Sequence, residues 1–218
     1  MTIASEQRRK VAEFLLRIKA IQLRPSDPFT WASGRKSPIY CDNRKILSHP
    51  AVRTFVRQLC GELIEERFGK PDAIAGVATG GIALGALVAQ EMGLPFCYVR
   101  SSAKSHGTGQ QVEGDLTVMR NVVVIEDLIS TGKSSLNAVE ALRNADIEVK
   151  GLVAIFSYGF DDAAQRFDDA KCPHEVLTDF ATLLLQAQEE GYITEDQSLM
   201  LKAWSSDPVV WSDQHQLT

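Results

Sequence analysis

Val122, Val123, Val124 and Ile125 follow one another without a polar break, the pattern of a strand buried on both faces, as in a parallel sheet covered by helices. Apolar runs at residues 73–77, 96–100 and 150–157 predict further strands. Between them lie helical stretches, residues 82–92 behind a loop at 78–81, and residues 134–144 with Leu136, Val139 and Leu142 on one face. Such alternation predicts parallel βαβ units with right-handed crossovers. Upstream, Val11, Phe14, Leu15 and Ile18 form one stripe of a helix that Ser5 can cap. A second helix, starting at Ser48 with Pro50 in its first turn, carries Val52, Phe55, Val56, Leu59, Leu63 and Ile64, and Gly69 and Pro71 stop it. The segment between, FTWASGRKSPIYCDN at residues 29–43, predicts two short strands around a turn. Downstream, Val176, Leu177, Phe180 and Leu183 to Leu185 predict one amphipathic helix over residues 174–189, with another over 195–204. The expected fold class is α/β, a parallel twisted sheet flanked by helices with a small N-terminal cap. We expect a single domain over residues 1–218: a cap at about 1–47, a core at about 70–160 and C-terminal helices at about 174–218.

Composition removes several function classes. A net charge of -5 with scattered basic residues gives no footprint for nucleic acid. Cys41, Cys60, Cys97 and Cys172 are far apart and have no metal-ligand spacing to a histidine, so they read as reduced thiols. The N-terminal MTIASEQRRKVAEF turns charged before a signal-peptide core can form, and no apolar run approaches bilayer length. The expected location is the cytoplasm, away from membranes.

The chemistry concentrates at the carboxyl end of the strand around residue 124. Glu126 and Asp127 fall where open α/β sheets bind ligands, and residues 129–133 form a small hydroxyl-rich loop before the next helix. That helix start would turn free N–H groups and a positive dipole end toward the loop, which suits phosphate. The carboxylates suit sugar hydroxyls or a cation. A buried strand and ordinary turn would explain the apolar run but not the paired acids. The GKS at residues 132–134 is no Walker A loop, because its first glycine position is Asp127. Gly107 and Gly109 fail as a dinucleotide fingerprint, since Val112 stands at the third glycine. The polar stretch RSSAKSHGTGQQVEGD at residues 100–115 buries almost nothing yet carries Arg100, Lys104 and His106, the makings of a cationic lid or else a solvated loop.

VVVIEDLISTGKSS resembles the signature of the type I phosphoribosyltransferases, which bind 5-phosphoribosyl 1-diphosphate (PRPP) between acidic residues and a phosphate-cradling loop. SGRKSPIY at residues 33–40 and AKSHGTG at 103–109 narrow the resemblance to the orotate phosphoribosyltransferases; with GVATGGI at 76–82 it spans roughly residues 10–160. The resemblance implies transfer of the phosphoribosyl group from PRPP to orotate, giving orotidine 5′-phosphate and diphosphate in pyrimidine (UMP) biosynthesis, with Mg²⁺ held mainly through PRPP. It implies a homodimer whose lid, residues 100–115, acts across the interface. Glu126 and Asp127 fall on the acids contacting ribose hydroxyls, and Leu128, Ile129, Ser130, Thr131, Gly132, Lys133 and Ser134 on the PRPP signature, with the 5′-phosphate loop beginning at Ile129. Thr79 and Gly80 fall on the diphosphate loop, Arg100, Lys104 and His106 on the lid, and Ser130 on an orotate contact; Tyr40 is a candidate to stack on the base. Lys104, Asp127 and Glu126 are the expected catalytic residues. Several family positions differ: two lysines are replaced by Ala32 and Gly80, paired aromatics by Tyr40 and Cys41, and an orotate-binding arginine is missing near Tyr158. Lys36 or Arg35 can restore part of that charge. The alternatives are a purine or xanthine phosphoribosyltransferase and a non-catalytic PRPP-sensing regulator.

Overall fold

The computed structural model describes residues 4–31, 34–102 and 111–216. In chain order the elements are α1 (Ser5–Arg17), β1 (Ile21–Leu23), β2 (Phe29–Thr30), β3 (Lys36–Ser37), β4 (Ile39–Cys41), a 3-10 helix (Asn43–Ser48), α2 (Pro50–Phe68), β5 (Ala73–Val77), α3 (Gly80–Met92) and β6 (Phe96–Val99). After these come β7 (Val112–Glu113), a 3-10 turn (Leu116–Val118), β8 (Asn121–Ile129), α4 (Lys133–Arg143), β9 (Glu148–Ser157), α5 (Asp161–Asp169), β10 (His174–Asp179), α6 (Phe180–Glu189), α7 (Glu195–Ser206) and α8 (Pro208–Gln216).

Six strands form the main sheet in the order β10-β9-β8-β5-β6-β7, parallel except for β7, which runs antiparallel to β6. The run of four apolar residues in β8 explains its central place. Val123 and Ile125 join one apolar cluster with Leu59 and Leu63 of α2 and Val88 of α3. Val122 and Val124 join the other, with Val139 and Leu142 of α4 and Phe167 of α5. All four are fully buried, and burying each contributes about 1.5–3 kcal/mol. Because side chains alternate between faces, a one-residue slip would exchange the two sets, so the run also pins the register.

The chain around residue 40 sits beside the carboxyl ends of these strands. There β1 pairs antiparallel with β4, and β2 with β3. The C-terminal helices hold this cap down. Trp204 of α7 is 1 % exposed and lies within 5.6–6.3 Å, ring centre to ring centre, of Trp31, Tyr158, Phe160 and Phe180. The Lys36 N–H donates to Ser212 Oγ of α8 at 3.0 Å.

Four sequence expectations need correction. Residues 174–189 are not one helix: β10 occupies the first six and α6 the rest. The 3.6-residue spacing was compatible with a helix, but pairing with β9 satisfies the backbone of this edge and overrides it. Asp179 marks the switch, its carboxylate accepting the Thr182 N–H at 2.8 Å as the cap of α6. Ser5 is the first residue of α1, not its cap; Ala4 holds that position and its N–H donates to Gln7 Oε1. Ser48 ends the 3-10 helix and His49 precedes α2, with Pro50 at its first position. Finally β8 extends to Ile129, so the acids lie within the strand rather than beyond it.

Candidate active site

Period-two alternation sends the adjacent acids of β8 to opposite faces. Glu126 turns to the α4 side, where its Oε2 accepts from Ser135 Oγ at 3.0 Å and Ser134 Oγ at 3.5 Å. Its Oε1 accepts the Asp127 N–H at 3.1 Å. Glu126 is 4 % exposed, and burial first, then the Asp127 charge, push its carboxyl from the ordinary 4.5 up to about 8. Asp127 turns to the α3 side and is half-buried. Burial raises its pKa as well, opposed first by the hydrogen bond with Glu126 and less by the charge of Arg44.

Two glycines of GVATGGI make this arrangement possible. A Cβ at Gly81 would strike the Ile125 carbonyl, so only glycine lets the first turn of α3 lie so close to β8. A Cβ at Gly80 would land on the Asp127 carboxyl group. The carboxyl of Asp127 therefore fills the space in which a residue-80 side chain would begin. Thr79 precedes α3 and is exposed beside it.

Beyond β8, Ser130 and Thr131 lead to Gly132, whose φ of 75° turns the chain into α4. Thr131, Lys133 and Ser134 are exposed at this helix start, where unpaired N–H groups favour an anion. Arg166 Nη1 fixes the turn by donating to the Thr131 carbonyl at 2.9 Å. Ile129, expected in the loop, is instead the last residue of β8 and packs in the core at 1 % exposure.

A pocket of about 460 Å³ opens beside the acids, lined by Phe29, Thr30, Trp31, Tyr40, Cys41, Leu128, Ser130 and Tyr158. It brings together Tyr40 and Ser130, which are 90 positions apart in sequence. Sequence reasoning missed its other walls, Phe29 and Trp31 of the cap and Tyr158 after β9, because isolated aromatics carry no motif. Asn43 was missed too: 2 % exposed, it donates from Nδ2 to the Asp127 carbonyl at 2.6 Å, tying the cap to the acid strand. Only its position beside SGRKSPIY hinted at a role. Arg100 stands at the end of β6, its backbone paired with Gln111 and its Nη1 3.6 Å from Glu113. Lys104 and His106 lie outside the described residues. A larger cleft of about 810 Å³ opens at the other end of the strands, by Glu148 and His174, and none of the expected site residues among the described ones lines it.

The phosphoribosyl transferase domain model matches residues 42–186. An orotate phosphoribosyltransferase of Bacteroides fragilis is 55 % identical over 203 residues, covering 93 % of this chain and 96 % of the relative. The chain belongs to the orotate phosphoribosyltransferase family. Among solved structures, the orotate phosphoribosyltransferase of Aeropyrum pernix matches with a TM-score of 0.72 at 28 % identity, covering 84 % of this chain and 99 % of that one. Leishmania donovani UMP synthase matches with a TM-score of 0.76 at 26 % identity over 92 % of this chain; the match spans 42 % of that longer protein. Neighbours of this kind share the sheet and flanking helices described above. The acid strand, the glycine-rich start of α3 and the hydroxyl loop all fall within the matched residues 42–186. No helix among the described residues is long and apolar enough to cross a membrane.

The buried acid makes the ligand-free fold pH-sensitive. Because the folded pKa of Glu126 is raised, its contribution to stability is fully present below about pH 4.5, declines as pH rises, and is lost above about pH 8. Glu126→Gln removes that decline. Denaturant unfolding of both proteins between pH 5 and 9 checks this; parallel stability curves would refute it.

Proposed function

We propose that this chain transfers the 5-phosphoribosyl group from PRPP to orotate, releasing diphosphate and forming orotidine 5′-phosphate for pyrimidine synthesis. The observation that carries the reading is the shared end of β8: Leu128 and Ser130 line the aromatic pocket, while Asp127, immediately before Leu128, faces the start of α3. A planar base in the pocket and a ribose over Asp127 are thereby neighbours, as a bond between N1 and C1 demands.

Each side chain then has a task. Tyr40 and Ser130 hold orotate, the ring by stacking and the polar edge by a hydrogen bond. Asp127 accepts from the ribose hydroxyls and opposes the positive charge that grows at C1 as diphosphate departs. Glu126, held by Ser135, supports it from the strand's other face. Thr131, Gly132, Lys133 and Ser134 receive the 5′-phosphate at the start of α4, and Thr79 and Gly80 border the diphosphate. Arg100, Lys104 and His106 draw off the charge of the leaving group, Lys104 as the principal catalytic cation. We further propose that this lid, residues 100–115, comes from the partner subunit of a homodimer, and that the enzyme works in the cytoplasm.

Mg²⁺ fits this site as a substrate-borne ion. Among the described residues no group of three or more His, Cys, Asp or Glu side chains forms a metal cage, whereas a ribose and diphosphate bound beside Asp127 would offer oxygens of the kind Mg²⁺ prefers. When bound, the ion would neutralise charge on the diphosphate; Asp127, half-buried against Gly80, is the carboxylate on that face.

Loss of orotate ultraviolet absorbance, followed with and without PRPP and Mg²⁺, tests the reading. Consumption is expected only with both present, and with uracil, hypoxanthine or xanthine far poorer substrates. Comparable efficiency with a purine would favour the purine enzyme, and PRPP binding without any turnover would favour a sensor.

A further inference from the structure

The pairing of β5 with β8 ends with Gly76 opposite Ile125, whereas β9 accompanies β8 as far as Ile129. Asp127 therefore stands on a strand end that, among the described residues, has a strand along one edge only. What reaches it from the cap is Asn43, the first residue of the 3-10 helix after β4. Its Nδ2 donates to the Asp127 carbonyl at 2.6 Å.

This bond joins two walls of the base pocket at the acid. Cys41 lies two residues before Asn43 and Leu128 one residue after Asp127, and both line that pocket. The Asp127 side chain meanwhile leans on Gly80 at the start of α3. Moving the Asp127 peptide would shift the carboxylate and the pocket wall together.

Stability does not explain the amide. Asn43 is 2 % exposed, and its Oδ1 is buried with no hydrogen-bond partner among the described residues. Leaving one polar atom buried and unpaired costs at least as much as one hydrogen bond returns. The side chain therefore gains the fold little, and what it contributes is the fixed place of one carbonyl.

We propose that Asn43 is a positioning residue for phosphoribosyl transfer: its amide holds the end of β8 so that the Asp127 carboxylate meets the ribose in register with the base in the pocket. The proposal rests on the functional reading above, in which Asp127 opposes the charge at C1. Asn43 touches neither substrate in this scheme and acts through Asp127 alone. Its effect belongs to the transfer step, where a displacement of about 1 Å can cost on the order of 10²-fold, rather than to the affinity of orotate or PRPP.

A double-mutant cycle on the full-length protein tests it, with kcat and both KM values as readouts. Asn43→Ala is expected to lower kcat by about 10- to 100-fold and to change neither KM by more than about 3-fold. In the Asp127→Asn background the same change should cost no more than about 2-fold, because the group it positions is already disabled. Asn43→Leu, of similar volume but without the donor, should match Asn43→Ala. Ser212→Ala, which releases the Lys36 N–H of the cap from α8, should leave kcat within about 2-fold of wild type. Denaturant unfolding gives the folded fraction of each variant. An additive cycle, with Asn43→Ala costing as much in either background, would overturn the proposal, because the amide would then not act through Asp127. So would an unchanged kcat, a loss carried by KM alone, or an equal loss in Ser212→Ala. Failure of both Asn43 variants to fold would assign the amide to stability and overturn it as well. Wild-type protein that fails to consume orotate sinks the functional reading; wild type that consumes it while the cycle is additive sinks this inference alone.

Discussion

Asp127→Asn lowers turnover on the order of 10²-fold while the protein stays folded, the usual cost of removing one group from a preorganised electrostatic site. The substitution keeps the shape of the side chain, so the start of α3 is undisturbed. What it removes is the negative charge set against the oxocarbenium-like C1 and the strong acceptor for ribose hydroxyls. Loss of charge also relieves the burial penalty on the acid pair, so the variant should be at least as stable as wild type near neutral pH. The combination separates chemistry from folding: activity falls and stability does not. Gly80→Ala offers a steric route to the same centre, since its added carbon would collide with the Asp127 carboxyl group. Steady-state rates with saturating orotate and PRPP, beside denaturant unfolding, check both. Full activity in folded Asp127→Asn would remove the central role given to this acid.

The second large effect is recovery in mixed dimers. If Lys104 of one subunit completes the site around Glu126 and Asp127 of the other, Lys104→Ala and Asp127→Asn homodimers are each nearly inactive. A heterodimer of the two carries one site lacking both groups and one lacking neither. Co-expression with different tags and purification of the mixed species should therefore restore roughly half the wild-type activity per dimer, if the two sites are independent. A heterodimer no more active than its parents would place the lid in cis.

The local grammar of β8 was legible because it needs no tertiary information. Four apolar residues in a row demand a strand covered on both faces, and acids followed by small hydroxyl residues and glycine end it in a loop. The helices α1, α2, α3 and α4 were legible for a similar reason, their apolar stripes repeating at a fixed period. Residues 174–179 were not, since their apolar spacing serves a helix or an edge strand and only the proximity of β9 chooses. Exact ends also escaped, as at Ser5, Ser48 and Ile129, where neighbouring segments satisfy the last backbone groups.

By itself the sequence determined the chemistry on offer: paired acids, a phosphate-suited loop and a family resemblance that the comparisons bear out. Tertiary structure decided how those groups are held. Glu126 is buried against Ser135, Asp127 leans over Gly80, and Asn43 reaches the Asp127 carbonyl across 84 positions of chain. The base pocket likewise draws its walls from the cap, from β8 and from Tyr158 after β9. The physical reason is range. Hydrophobic period and turn chemistry act within a few residues, so they can be read along the chain, whereas burial, charge pairing and pocket shape belong to surfaces that meet only after distant segments have packed.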